Sequence, residues 1–267
     1  MSILKGYTKQ EISWMMYDWA NSAHSVIIVT ILPIFFDSVA EQTADSVSSM
    51  STWGYATSIA MAIVALSAPF LGVFGDIRGM RKKLFGFFVG LGVLAVAGLA
   101  FTPMMDFTSS TDAAGRVAMF VLVLYILSTI GFDASCIYYD AFLTDITTED
   151  RMDRVSTLGY GLGYIGGSTI PLVVFLVMNL VGVDMLVCLA FIFAFTAVWW
   201  VVFSLPLLKN CRQKGGKPYE KGDIGRSIRG VGATMKEIGR NKALLTYIVA
   251  YFFYIDGVHT VISMATT

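Results

Sequence analysis

Lysine and arginine are missing from every long apolar stretch of this chain, and histidine and cysteine are scarce throughout. Two histidines and three cysteines occur among 267 residues, and charged residues make up only 14%. Cys136, Cys188 and Cys211 are far apart, with no CxxC pair and no even count. That excludes a disulfide framework and a cysteine zinc site, and Cys136 and Cys188, inside apolar runs, read as packing residues. His24 and His259 form no HxxxH or HExxH pair, which argues against a histidine metal centre. No metal or cofactor is therefore expected. The formal net charge is zero, so nothing global points to nucleic acid.

Apolar residues are present in excess. They make up 56% of the chain, against roughly 45–50% in soluble domains, and the mean hydropathy is +0.69. A spanning helix needs about 20 mainly apolar residues. Runs of that kind lie near 14–36, 53–75, 84–103, 117–142, 156–180 and 184–207, with another starting near 243. Asp18 and Asn21 interrupt the first run early, so it is not a signal peptide. The absence of a basic flank after the last run reads as a truncated product.

Charge sets the orientation. With the N-terminus inside, the inner segments hold Lys5 and Lys9, then Arg78, Arg81, Lys82 and Lys83, then Arg151 and Arg154, and every basic residue from Lys209 to Lys242. That is 18 of 19, with Arg116 alone outside. The positive-inside rule thus predicts a cytoplasmic N-terminus and a cytoplasmic 208–242 segment. Within that segment Ile224, Ile228, Val231, Met235 and Ile238 recur at helical spacing among basic residues. The pattern predicts a helix lying on the inner membrane surface.

Four aspartates interrupt the spans: Asp18, Asp133, Asp140 and Asp256. An ionised carboxylate at a helix centre costs about 2.5–3.5 kcal/mol. Asp18 and Asp140 lie close enough to the cytoplasmic ends to reach water. Asp133 and Asp256 are deeper and should face an aqueous cavity, carry a proton, or both; a neutral acid bonded between helices is the alternative. Asp18, Asn21, Ser22, His24 and Ser25 fall within an arc of about 160° of the first helix. Asp133 and Asp140 share a face of the fourth, about 10 Å apart along it. Asp256, His259, Thr260 and Ser263 form a third stripe. Residues 21 and 24–27 also match residues 256 and 259–262 at one offset of 235.

The turn between the second and third spans reads "GVFGDIRGMRKK". By its chemistry it is a tight charged turn, with Gly72 and Gly75 allowing close helix approach and Asp76 placed to bond the opening amides of the next helix. It also resembles the loop signature of the major facilitator superfamily at Gly72, Asp76, Gly79, Arg81 and Lys82. The last basic pair is displaced by one residue, and Ile77 stands where the family usually has arginine. A gating role for Gly72, Gly75, Asp76, Arg78, Gly79, Arg81 and Lys82 is what that resemblance implies. "YDWANSAHSVI" (17–27), the stretch 138–167 and "YFFYIDGVHTV" (251–261) are similar to the autophagy-related vacuolar amino-acid effluxer family and its bacterial relatives. Asp140 departs from the asparagine expected there. Gly159, Gly163 and Gly167 form a small-residue stripe best explained by close helix packing.

The expected fold is an all-α membrane protein. It comprises an N-terminal six-helix bundle of a major-facilitator-type transporter (1–207), a basic cytoplasmic loop (208–242) and the start of the seventh span (243–267), with the C-terminal bundle missing. In that superfamily two such bundles are related by an axis along the membrane normal, which would explain the 235-residue repeat. The expected function is secondary active transport of a small solute by alternating access, coupled to protons, in the plasma membrane. Amino acids are the substrate class the resemblance implies. Asp18, Asn21, Ser22, His24, Ser25, Asp133, Asp140, Asp256, His259 and Thr260 would line the path, with the bilayer, the solute, protons and the second bundle as partners. A non-transporting scaffold or sensor on this fold stays open, as does a membrane-embedded His/Asp enzyme.

Overall fold

The computed structural model describes residues 4–43, 46–216, 218 and 223–264, and its regular elements are all helical. In chain order they are α1 (Lys9–Thr30), α2 (Leu32–Ala40), α3 (Ser46–Gly75), α4 (Met80–Leu99), α5 (Thr111–Ile146), α6 (Glu149–Leu162), α7 (Thr169–Leu180), α8 (Met185–Asn210), α9 (Asp223–Arg240) and α10 (Lys242–Met264). Six helical stretches are long and apolar enough to cross a membrane: Lys9–Ala40, Ser49–Gly75, Met80–Met104, Thr111–Ile146, Glu149–Leu180 and Met185–Asn210. The chain is an all-α membrane protein.

Several helices outrun the apolar segments that mark them, because polar caps start them early. Thr8 Oγ1 accepts from the Glu11 amide at 3.1 Å, and Glu11 Oε2 accepts from the Thr8 amide at 2.7 Å. This reciprocal capping box starts α1 at Lys9, well before the first apolar residues. Ser110 caps α5 by accepting from the Ala113 amide at 3.2 Å, and Asp184 caps α8 through two amides. Thr8→Ala should lower stability by about 1 kcal/mol, whereas Thr8→Ser should leave the melting temperature unchanged. Equal melting curves for wild type and Thr8→Ala would remove the cap from the account of α1.

Two spans are composite. Pro33 has no amide to continue the ladder, and α1 hands over to α2 at Ile31. Between α6 and α7 the residues Gly163–Ser168 form a π-helical segment. A π turn carries an extra residue in the helix and often marks a functional position.

In a bilayer, helix association depends on close packing rather than on exclusion of water. α5 is the central pillar, packed against α3 on one flank and α4 on the other, while α1 packs against α8 and against the α6–α7 span. Gly131 of α5 meets Gly92 of α4 backbone to backbone: a Cβ at 131 would lie 2.5 Å from Gly92 N and 2.8 Å from Phe88 O. The Trp200 ring of α8 covers the same Gly92. Around this crossing the largest fully buried side chains are aromatic, among them Tyr17, Phe85, Tyr138, Phe142 and Trp200. Outward-facing positions stay apolar too, as Tyr55, Leu66, Leu94, Ile165 and Val198 show. Such a surface suits lipid. α9 lies where the 224–238 periodicity predicts a helix, and it packs against α3 and α10.

Candidate functional site

One cavity of about 290 Å³ opens among α1, α5 and the α6–α7 span. α1 contributes Asp18, Asn21, Ser22 and Ser25, and α5 contributes Phe132, Asp133, Cys136, Tyr139 and Asp140. Tyr160, Tyr164 and Ser168 close the third side. Six expected path residues are thus brought to one wall. The helix period explains why: on α1 the positions 18, 21, 22 and 25 fall on one face, as do 133, 136 and 140 on α5.

The carboxylates sit in different surroundings. Asp18 is 7% exposed, and its Oδ2 accepts from Tyr139 Oη at 2.7 Å. Tyr139 is itself held by Trp14, whose ring stacks on it at 4.2 Å and whose Nε1 donates to the Tyr139 carbonyl at 2.9 Å. Asp133 has a buried Oδ2 with no hydrogen-bond partner in the protein, and Asp140 is exposed. Asn21 directs its amide at Cys136 Sγ, 3.8 Å away, a long contact to a weak acceptor. No lysine, arginine or histidine is among the lining residues.

His24 does not belong to this wall. It lies at the edge of the α1 polar arc, about 80° round from its centre, and turns into the contact between α1, α5 and α8. There it is 3% exposed, stacked on Phe132 at 4.8 Å and set against Trp200 at 4.8 Å. Both ring nitrogens lack protein partners. The arc predicted its helix face too generously, because α8 takes up that edge. Cys136 is displaced the other way: expected as a packing residue, it lines the cavity three residues after Asp133. Cys188 is fully buried as expected. The backbone at Asp256, His259 and Thr260 runs within α10, but the side chains of those three lie outside the described residues.

Tyr160 and Tyr164 escaped the sequence reading, although their i, i+4 spacing on a glycine-rich helix could have drawn notice. Their glycines bring that helix onto α1. A Cβ at Gly159 would lie 2.8 Å from Asp18 Oδ2, one at Gly163 would lie 2.7 Å from Ser22 Oγ, and one at Gly167 would lie 2.6 Å from the Trp19 carbonyl oxygen. The small-residue stripe therefore serves close packing, and it fixes the width of the cavity.

The charged turn forms a second cluster at one end of the bundle. Gly79 adopts φ 79°, a left-handed conformation that glycine accepts without strain, and it starts α4 with no side-chain cap. Asp76 therefore does not cap α4 as expected. Four residues ahead of Met80, its exposed carboxylate reaches Arg81 at 3.5 Å instead. Arg81 is buried and pairs with Asp145 at the end of α5, while also donating to the Ala141 carbonyl at 2.8 Å. Gln213 bridges the turn from below, donating to the Gly75 carbonyl at 3.0 Å and accepting from the Gly79 amide at 2.9 Å. Lys82 Nζ donates to the Cys211 carbonyl at 3.4 Å, and Arg78 lies against Gly216. Burial pushes the Cys211 thiol up to about 11, so it stays a protonated packing group. Gly75 approaches Tyr138 closely, whereas Gly72 has open space around it. Close by in the chain path, Arg151 forks onto both oxygens of buried Glu11 at 2.9 and 2.8 Å. Gln213 and Glu11 carried no motif in sequence, and Asp145 and Arg151 lay in the 138–167 stretch without being singled out.

A family model described as "Vacuole effluxer Atg22 like" matches residues 7–267. The chain belongs to that family. It is 39% identical over 273 residues to a Bacillus subtilis (strain 168) protein named as an uncharacterized MFS-type transporter, YxiO. That match covers 99% of this chain and 61% of the relative. Autophagy-related protein 22-2 of Aspergillus clavatus is 29% identical over 119 residues, 40% of this chain and 19% of that protein. Autophagy-related protein 22 of Botryotinia fuckeliana is 26% identical over 128 residues, 42% of this chain and 21% of that protein. The chain thus spans about three fifths of the bacterial relative's length. No solved structure matches it.

Proposed function

We propose that this chain is the N-terminal half of a secondary transporter that moves a small solute by alternating access, with proton coupling through the cavity carboxylates. The observation that carries the reading is the wall itself: three aspartates from two spans, in one cavity at membrane depth, with no basic residue lining it. A carboxylate costs about 2.5–3.5 kcal/mol to keep ionised at the centre of a span. Such residues face a cavity and mark solute or proton pathways. Family membership and the name of the bacterial relative, an MFS-type transporter, support transport. Amino acids remain the substrate class suggested by the family resemblance. The N-terminus and the basic 208–242 segment would be cytoplasmic, since the charged turn and the segment after α8 meet at one end of the bundle.

The second half of the site would come from a second bundle, as the superfamily architecture implies. Full-length protein in liposomes, assayed with a solute panel with and without a pH gradient, tests the reading. Accumulation should respond to the gradient. Asp133→Asn should abolish gradient-driven accumulation while leaving membrane insertion intact. If that variant accumulates solute with normal pH dependence at matched expression, Asp133 has no part in coupling.

A further inference from the structure

We propose that the cavity wall is a subsite for a protonated amine, with Asp133 as counter-ion and Tyr160 and Tyr164 as an aromatic flank. This rests on the transport reading above and names the solute class. Three features point to a cation. The lining holds three carboxylates and no basic group. The buried Oδ2 of Asp133 has no partner within the protein, although buried carboxylate oxygens are normally bonded. The rings of Tyr160 and Tyr164 sit 5.4 Å apart on the side of the cavity supplied by the α6–α7 span, and both side chains are 63% exposed where a span would ordinarily present aliphatic groups.

An aromatic face attracts an ammonium through its ring quadrupole, and more strongly where water is thinned out. A divalent metal fits less well. Among the described residues no three carboxylate, cysteine or histidine groups are placed to hold one, and a cavity of about 290 Å³ has room for an alkyl ammonium. An anion is disfavoured outright by the wall's charge. The rest of the solute would then meet the other lining groups, among them Ser22, Ser25, Ser168 and the exposed Asp140.

Calorimetric titration of the full-length protein with n-butylammonium, n-butanol and glutarate tests the assignment. Butylammonium should bind saturably, and the neutral isostere and the dianion should not. Asp133→Asn should weaken butylammonium binding by at least roughly thirtyfold, the loss typical of removing one partner of a buried charge pair. Tyr164→Leu should weaken it about three- to tenfold and Tyr164→Phe hardly at all, since the ring rather than the hydroxyl faces the cation. Tyr164 is exposed, so this pair remains informative should Asp133→Asn fail to fold. Glutarate or butanol binding as tightly as butylammonium, or butylammonium binding unaltered in Asp133→Asn, overturns the proposal. Asp133-dependent butylammonium binding without flux of any solute would sink the transport reading and leave the amine subsite standing. Flux of a neutral solute untouched by Asp133→Asn would do the reverse.

Discussion

Gly131→Val should leave the bundle unable to reach its native packing. The first added atom alone would sit 2.5 Å from Gly92 N and 2.6 Å from Gly92 Cα. These are backbone atoms of α4, so no rotamer change can make room. The two helices would have to separate, and the Trp200 ring over Gly92 would lose its seat. Overpacking a well-filled core typically costs about 1–3 kcal/mol, occasionally more, and three helices share this contact. Gly90→Ala is the control, because open space surrounds that position. The expected result is a monodisperse Gly90→Ala protein with the wild-type melting temperature, beside an aggregated or undetectable Gly131→Val. A Gly131→Val protein that melts with wild type would refute the α4–α5 crossing described here.

The second large effect concerns the charged end of the bundle. Arg81 and Asp145 have side chains 11% and 7% exposed, and they form an ion pair. Removing one partner of a buried pair costs about 3–5 kcal/mol, because the remaining charge is left uncompensated. Arg81→Ala should therefore destabilise the protein strongly. Asp145 would keep the Lys214 amide, which donates to its Oδ1 at 3.1 Å. The double replacement Arg81→Met with Asp145→Leu removes both charges and should recover much of the loss, since an apolar substitute for a buried pair is often close to neutral. The readout is the melting temperature of the two single variants and the double variant. Strictly additive losses would mean that the two side chains act independently.

The same end of the molecule shows where sequence reading stops. Arg81 belongs to a contiguous stretch whose glycines and charges announce a tight turn. Its partner Asp145 lies 64 positions away in the chain, in a stretch that carries the family resemblance but nothing that pairs it with Arg81. Gln213 lies in a segment that composition describes only as polar, yet it bonds both ends of the turn. Asp76 is close in sequence to the opening amides of α4, yet Gly79 holds the N-cap position in a left-handed conformation and α4 starts with no side-chain cap.

Periodicity within one helix was more informative than motifs. The face shared by Asp18, Asn21, Ser22 and Ser25 is a property of the 3.6-residue turn, and the cavity follows it. Asp133 and Asp140 obeyed the same rule, and carrying it one step further would have added Cys136. His24 marks its limit. A stripe about 160° wide is broader than the wedge a cavity can occupy between two neighbouring helices, and a residue at its edge can turn into either.

Hydropathy and the placing of basic residues were enough to determine that this chain crosses a membrane as helices, because a bilayer imposes length and apolarity on each span by itself, with no reference to its neighbours. The intramembrane carboxylates were likewise legible, since each is costly wherever the helix around it goes. Which of them meet, what holds Tyr139 against Asp18, why His24 leaves the wall, and how close α6–α7 comes to α1 were decided only by the tertiary structure. Those outcomes depend on which helix fills the space beside each face. That is set by small residues at crossings such as Gly92–Gly131 and Gly163–Ser22, and the partners in such crossings lie far apart in the chain.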